Sequence, residues 1–166
     1  YTSTGDMPQR SGSGLFGFAP YGTFEAADGE PFYLATASEK LWQRLCSTLD
    51  REDLLDDDRF ETQADRWDNR EALHDELDPE FRSYDRRDLV ETLAGAGVPC
   101  GPLQYTDELV EDDPHVEQRD MLVESHNQWV EADCRTTRMP FRDSDGLIDD
   151  ASPPPNQGEH TRAVLE

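Results

Sequence analysis

Residues 21–49 read YGTFEAADGEPFYLATASEKLWQRLCSTL, and this stretch carries the strongest local signals for structure in the chain. Two segments rich in aromatic and β-branched residues, 21–26 and 31–36, flank an Asp28-Gly29 turn, which is a strong signal for a β-hairpin. Ser38 follows as a candidate helix N-cap. An apolar stripe then recurs at intervals of three and four residues and predicts an amphipathic helix; its members are Leu41, Trp42, Leu45, Cys46 and Leu49.

The rest of the chain shows weaker signals of the same kinds. Longer helices are predicted from Asn69, where Pro79 is expected to bend or end the helix, and from Asp85 to a glycine stop at Gly95 and Gly97. The helical signals are concentrated before residues 82–96 and the short strands and loops after them, so the predicted fold class is α+β, with an internal boundary there. The remaining predictions are short helices near 60–67, at 106–110, from 114 and at 161–165, an extended segment at 98–103, strands at 121–124 and 129–136, and a polar, proline-rich loop at 143–156.

The charge of the chain excludes several classes of partner. Its 166 residues include 15 Lys plus Arg and 38 Asp plus Glu, a net charge of −23. Such a polyanion repels nucleic-acid backbones and anionic bilayer surfaces, and no apolar stretch is long enough to cross a membrane. Disorder is the alternative for so acidic a chain, but 34% of the residues are hydrophobic and they recur periodically. We therefore predict a folded, halophilic protein whose acidic surface is screened by molar salt.

The cysteines and the start of the chain give two further expectations. Cys46, Cys100 and Cys134 are odd in number and lack CxxC spacing, so neither a disulfide framework nor a zinc site is predicted, and a cytoplasmic location fits. The chain opens at Tyr1 without an initiator Met or a leader, which predicts a fragment.

Three short motifs bear on possible chemistry. Residues 12–17, GSGLFG, match G-x-G-x-x-G but lack the preceding strand and the following helix of a dinucleotide site. Two interpretations stay open for them: a flexible loop that lets its backbone approach a ligand, or an ordinary linker. Residues 143–146, DSDG, begin like a calcium loop without its later ligands, so no metal site is predicted. His160 beside Glu159 is better explained as a helix start than as a catalytic pair. No catalytic residue is assigned.

Read together, several segments resemble the C-terminal part of the class III coenzyme A transferases, the family of formyl-CoA and carnitine-CoA transferases. Each segment is weak alone, but their order and spacing cover nearly the whole chain. They are residues 19–24 (APYGTF), 27–29 (ADG), 41–42 (LW), 58–60 (DRF) with Arg66 and Asn69, 97–103 (GVPCGPL), Glu108, 113–114 (DP), 119–121 (RDM), and Pro155 with 158–161 (GEHT) and 164–165 (VL).

The resemblance implies a fold and a domain arrangement. Residues 1–82 would form the family's small α+β domain, with an antiparallel sheet, packed helices and a loop or linker at 1–14. Residues 83–97 would be the connecting helix. Residues 98–166 would return to a Rossmann-like large domain, whose N-terminal catalytic half is absent from this chain. Two such subunits interlock as a homodimer in the family.

The resemblance also implies an activity. Family members move coenzyme A between an acyl-CoA and a carboxylic acid through an aspartyl-CoA thioester, with the coenzyme A thioester as substrate and no tightly bound cofactor. The nucleophilic Asp lies in the absent half, so this chain alone is expected to be inactive. Gly12, Ser13 and Gly14 lie roughly where formyl-CoA transferase carries a loop over its active site, and are the candidate substrate-binding residues. The alternatives are an acyl-CoA racemase of the same superfamily and a non-catalytic binding module. The related racemases carry a catalytic Glu near the position of Ser38, so the serine favours a transferase over a racemase.

Overall fold

The structure is a computed structural model that describes residues 2–3, 5, 7, 10–127, 130–141 and 155–166. It divides into two compact units, which meet in the sequence between Leu103 and Gln104. Within the described residues no helix is long and apolar enough to cross a membrane. The mixed helix and sheet composition agrees with the predicted α+β class.

The first unit is organised on the predicted hairpin. Strands β1 (Tyr21–Glu25) and β2 (Pro31–Ala35) pair antiparallel with Thr23 opposite Tyr33. The turn forms as expected, and the Asp28 carboxylate accepts a hydrogen bond from the Glu30 N–H at 3.1 Å. A third strand, β3 (Cys100–Pro102), pairs antiparallel with the other edge of β2. The extended segment predicted at 98–103 is therefore part of the sheet.

The amphipathic helix is confirmed. Helix α1 (Glu39–Thr48) begins after Ser38, whose hydroxyl accepts a hydrogen bond from the Leu41 N–H at 3.4 Å. Its inward stripe is buried, including Trp42, Leu45 and Cys46. The hydroxyl of Ser38 therefore caps a helix.

Four further helical elements follow α1 in this unit. A 3₁₀ helix (Glu52–Leu55), which the sequence pattern did not predict, precedes α2 (Gln63–Asp68) and α3 (Arg70–Phe81). Pro79 lies in the last turn of α3, and the helix ends two residues later. Helix α4 (Arg86–Gly95) follows and leads to β3.

The core of the first unit joins the sheet to the helices through aromatic rings. Phe81 at the end of α3 packs edge-on against Phe24 and Phe32, with ring centroids 5.0 and 5.2 Å apart. Edge-to-face contacts at this distance are favourable beyond the area that they bury. The buried apolar residues are Ala19, Phe24, Ala26, Phe32, Leu34, Trp42, Leu45, Cys46, Leu49, Leu54, Phe60, Leu73, Leu77, Phe81, Leu89, Leu93 and Val98.

The second unit is small and mostly exposed. It contains α5 (Thr106–Glu111), α6 (Pro114–Gln118), a hairpin of β4 (Leu122–Asn127) and β5 (Ala132–Thr137), and α7 (Thr161–Leu165). The predicted second strand began at residue 129, whereas β5 begins at Ala132, after Glu131 with φ of +48°. Most of the predicted loop at 143–156, including the calcium-like residues 143–146, lies outside the described residues.

Candidate functional site

The loop at residues 11–14 is attached to the sheet by hydrogen bonds. The Thr23 N–H donates to Ser13 Oγ at 3.1 Å, and the Tyr33 hydroxyl donates to the Ser13 carbonyl at 2.8 Å. Inside the loop, the Gly14 N–H donates to the Ser11 carbonyl at 2.9 Å, and Ser11 Oγ donates to the Gly14 carbonyl at 2.9 Å. These hydrogen bonds fix residues 11–14 against the sheet, and whether the backbone of this loop approaches a ligand stays a prediction.

Close contact at Gly14 and backbone conformation at Gly12 both favour glycine in this loop. A Cβ at Gly14 would lie 3.1 Å from the carbonyl oxygens of both Ser11 and Tyr21, so a side chain there would push the loop away from the sheet. Gly12 has φ of +60°, a conformation that L side chains rarely adopt. Gly14 therefore sets how closely the loop approaches β1.

Beside the loop lies a concavity of about 470 Å³, which we call the Trp67 pocket. Phe16, two residues after the loop, meets Trp67 of α2 edge-on, with centroids 5.1 Å apart, and His74 of α3 stacks on Phe24 at 4.8 Å. The pocket therefore has aromatic side chains on both the loop side and the helix side. It is lined by residues 10, 11, 13, 14, 16, 18–24, 67, 70, 71, 73 and 74, so Ser13 and Gly14 line it and Gly12 does not.

The Trp67 pocket has more basic than acidic side chains in a strongly acidic chain. Among the described residues, Arg10 and Arg70 line it, against the single carboxylate of Glu71. The Arg70 guanidinium lies 4.9 Å from the centre of the Trp67 ring, and its NH1 donates to the Trp67 carbonyl at 3.0 Å. Stacking and this hydrogen bond hold the guanidinium at the pocket wall.

The hydroxyl groups at the loop are suited to donate hydrogen bonds. Burial raises the pKa of the Tyr33 hydroxyl, and its contact with Tyr21 raises it further. Tyr33 therefore stays protonated at neutral pH and keeps its hydrogen bond to the loop. Ser13 Oγ accepts from Thr23, and no acceptor for its own proton is found among the described residues.

The described residues do not assemble a nucleophilic or metal centre. No group of three or more His, Cys, Asp or Glu side chains is placed to bind a metal in this part of the chain. Burial raises the pKa of the Cys46 thiol to about 12, so it is not an activated nucleophile. The Glu159 carboxylate accepts a hydrogen bond from the Asn156 N–H at 2.7 Å, and His160 is the residue before α7. That pair belongs to a helix start.

The sequence reasoning missed the helix side of the pocket. Trp67, Arg70 and His74 are separated by three and four residues, but Trp67 lies on α2 and the other two lie on α3. Their spacing in the sequence therefore gave no reliable signal, and only the folded chain places them beside the loop. The dinucleotide interpretation stays rejected, because β1 rather than a helix follows the glycine loop.

Comparison with known proteins gives the family. Residues 1–161 match CoA-transferase family III. The succinyl-CoA:mesaconate CoA-transferase of Haloarcula hispanica is 29% identical over all of this chain, which spans 41% of that protein. The human succinyl-CoA:glutarate CoA-transferase is 25% identical over 95% of this chain and 35% of its own length. A CAIB/BAIF family protein from Brucella suis superposes with a TM-score of 0.75 and 30% identity, over 99% of this chain and 42% of that one. The chain belongs to CoA-transferase family III.

Proposed function

We propose that the protein containing this chain transfers coenzyme A between an acyl-CoA and a free carboxylic acid. The observation that carries this proposal is the match to the family over residues 1–161. Relatives that share this region include transferases named for mesaconate, oxalate and glutarate. This chain spans about two fifths of the Haloarcula relatives, so the activity is proposed for a complete subunit.

The proposed chemistry uses an Asp outside this chain. Its carboxylate attacks the thioester carbonyl and releases coenzyme A thiolate, which leaves a mixed anhydride. The thiolate then attacks the aspartyl carbonyl, releases the first acid and forms the aspartyl-CoA thioester. The second acid repeats both steps in reverse, which restores the free Asp and yields the new acyl-CoA. No tightly bound cofactor takes part.

The proposed role of this chain is to supply one wall of the substrate site. Gly12 allows the turn, Gly14 seats the loop on the sheet, and Ser13 presents its hydroxyl to the substrate. Residues 1–82 then belong to the small domain, 83–97 to the connector and 98–166 to the segment that returns to a Rossmann-like domain. We propose an interlocked homodimer, a cytoplasmic location and adaptation to high salt.

Thioester exchange between an acyl-CoA and free acids tests the proposal. A complete subunit should exchange and should form an aspartyl-CoA thioester that hydroxylamine traps, whereas the 166-residue chain alone should do neither. Absence of both from the complete subunit would contradict the proposal. Deuterium entering the α position of a 2-methylacyl-CoA would instead identify a racemase.

A pair of glycine variants tests the loop. Gly14→Ala should lower kcat/KM by at least tenfold, on the order of 1.4 kcal/mol, because the added Cβ meets two backbone carbonyls. Gly95→Ala is the matched control, since nothing lies within 4 Å of its Cβ position. Equal activity of the two variants would show that the loop does not contribute to the site.

A further inference from the structure

The two arginines of the Trp67 pocket differ from most arginines in the chain. Among the described residues, neither Arg10 nor Arg70 forms an ion pair, although the chain has 38 acidic and only 15 basic residues. The arginines that do pair with a carboxylate within the same unit include 51, 59, 66, 82, 86, 135, 138 and 162. Most of the described guanidinium groups thus pair with a carboxylate. The two that line the pocket do not, and neither do Arg44 and Arg87, which lie outside it.

The surroundings of these arginines define the ligand that would fit. The Arg70 guanidinium lies over the Trp67 ring and uses one N–H group for the Trp67 carbonyl. A guanidinium has five N–H groups, and two of them can bind a carboxylate in a bidentate manner. The rings of Phe16 and Trp67 offer apolar contact for a carbon chain, and Ser13 offers a hydroxyl proton. Because the whole chain carries −23, an anion needs such a local excess of positive charge to approach.

We propose that the Trp67 pocket binds the carboxylate of a dicarboxylic acid, with Arg10 and Arg70 as its cationic contacts and the aromatic rings against its carbon chain. The choice of a dicarboxylic acid rests on the proposed function. Coenzyme A transfer converts one carboxylate of the acid into a thioester, so a carboxylate that stays paired with arginine must be a second one on the same molecule. The pocket then selects acids with two carboxylates over those with one.

Binding of glutarate, measured without any coenzyme A species, tests the site directly. Quenching of Trp67 fluorescence at constant ionic strength should saturate with glutarate, and the signal should vanish in Trp67→Phe. Arg10→Gln and Arg70→Gln should each weaken binding by about tenfold, the loss expected for one charge-assisted contact. Butyrate, which lacks the second carboxylate, should bind at least about tenfold more weakly than glutarate.

Arg87→Gln is the matched control, because Arg87 is exposed on α4 and does not line the pocket. It should bind glutarate like the unsubstituted protein. Circular dichroism of each variant separates lost binding from lost folding. Arg70→Lys keeps the positive charge but lacks the planar guanidinium, so it should retain only part of the affinity for glutarate.

Equal binding of glutarate and butyrate would overturn the proposal, and so would unchanged glutarate binding in both arginine variants. Arginine-dependent binding of adenosine 3′,5′-bisphosphate in place of glutarate would also overturn it, because the pocket would then be a site for nucleotide phosphates. The proposed function fails separately. Arginine-dependent glutarate binding in a complete subunit without thioester exchange refutes the transfer reaction and leaves the carboxylate site, while exchange without arginine dependence refutes only the site.

Discussion

Replacing Arg66 with methionine should destabilise the first unit by about 3 kcal/mol. The Arg66 side chain is completely buried, and it lies 5.1 Å from the centre of the Trp42 ring. Its NH1 donates to the Phe60 carbonyl at 2.8 Å and to the Glu61 carbonyl at 3.3 Å, and its NH2 lies 2.8 Å from a carboxylate oxygen of Glu39. It therefore joins α1 to the segment before α2.

The magnitude follows from what methionine can and cannot replace. The methionine side chain fills most of the volume beside Trp42, but it donates no hydrogen bond. The Phe60 and Glu61 carbonyls therefore lose a charged donor. We expect this to cost about 1.5–3 kcal/mol for the shorter bond to Phe60 and less for the longer bond to Glu61. The Glu39 carboxylate is 52% exposed and regains water, so its loss adds less than about 1 kcal/mol. Removal of Arg66 Nε, which is buried without a partner among the described residues, offsets part of the cost.

Urea unfolding followed by far-ultraviolet circular dichroism, at one fixed KCl concentration, measures the free energy of unfolding. The midpoint should fall with little change in the slope, and the melting temperature of this unit, Tyr1–Leu103, should drop by about 12 °C or more. Glu39→Gln is the control and should cost less than about 1 kcal/mol. The reasoning is refuted if Arg66→Met is within about 1 kcal/mol of the unsubstituted protein, or if Glu39→Gln costs as much.

Three further predictions follow from charge and burial. The melting temperature should rise by several degrees between about 0.1 and about 3 M KCl, because salt screens the repulsion among surface carboxylates; a flat profile in differential scanning calorimetry would contradict the adaptation to salt. Hydrogen bonds from Arg59 and Arg51 lower the pKa of Glu76 below its ordinary value of 4.5, so the stability that it contributes is fully present above pH 4.5 and is lost as the pH falls through the lowered value. Glu76→Gln should therefore flatten the acid limb of stability measured against pH, and an unchanged acid limb would remove Glu76 from this role. Burial raises the pKa of Cys46 to about 12, so Ellman's reagent at pH 8 should not label this thiol in the folded protein. Cys46→Ala should therefore leave the labelling amplitude unchanged until denaturant is added. A smaller amplitude in the folded variant would show that the thiol is accessible.

Local signals predicted the elements of the first unit well. The β1–β2 hairpin and α1 rest on an Asp-Gly turn, an N-cap and a short-range apolar period, each of which acts within a few residues. The start of β5 was predicted three residues too early, because Trp129 and Val130 have high strand propensity while Glu131 adopts a positive φ before the strand.

Pairings between distant segments could not be predicted in this way. Residues 98–103 were expected to be extended, but nothing in their composition shows that Cys100 lies opposite Leu34 on β2. The same holds for Arg66, whose type is ordinarily exposed and which is buried here because two backbone carbonyls and a carboxylate converge on it. Such burial depends on contacts made by the folded chain.

By itself, the sequence determined the local elements, the large negative charge and the resemblance to a transferase family, because each depends on residue type and short spacing. Tertiary structure alone decided that Ser13 and Gly14 line the same pocket as Trp67 and Arg70. This arrangement depends on distances between side chains about fifty residues apart, and such distances are set only when the sheet and helices pack around a common core.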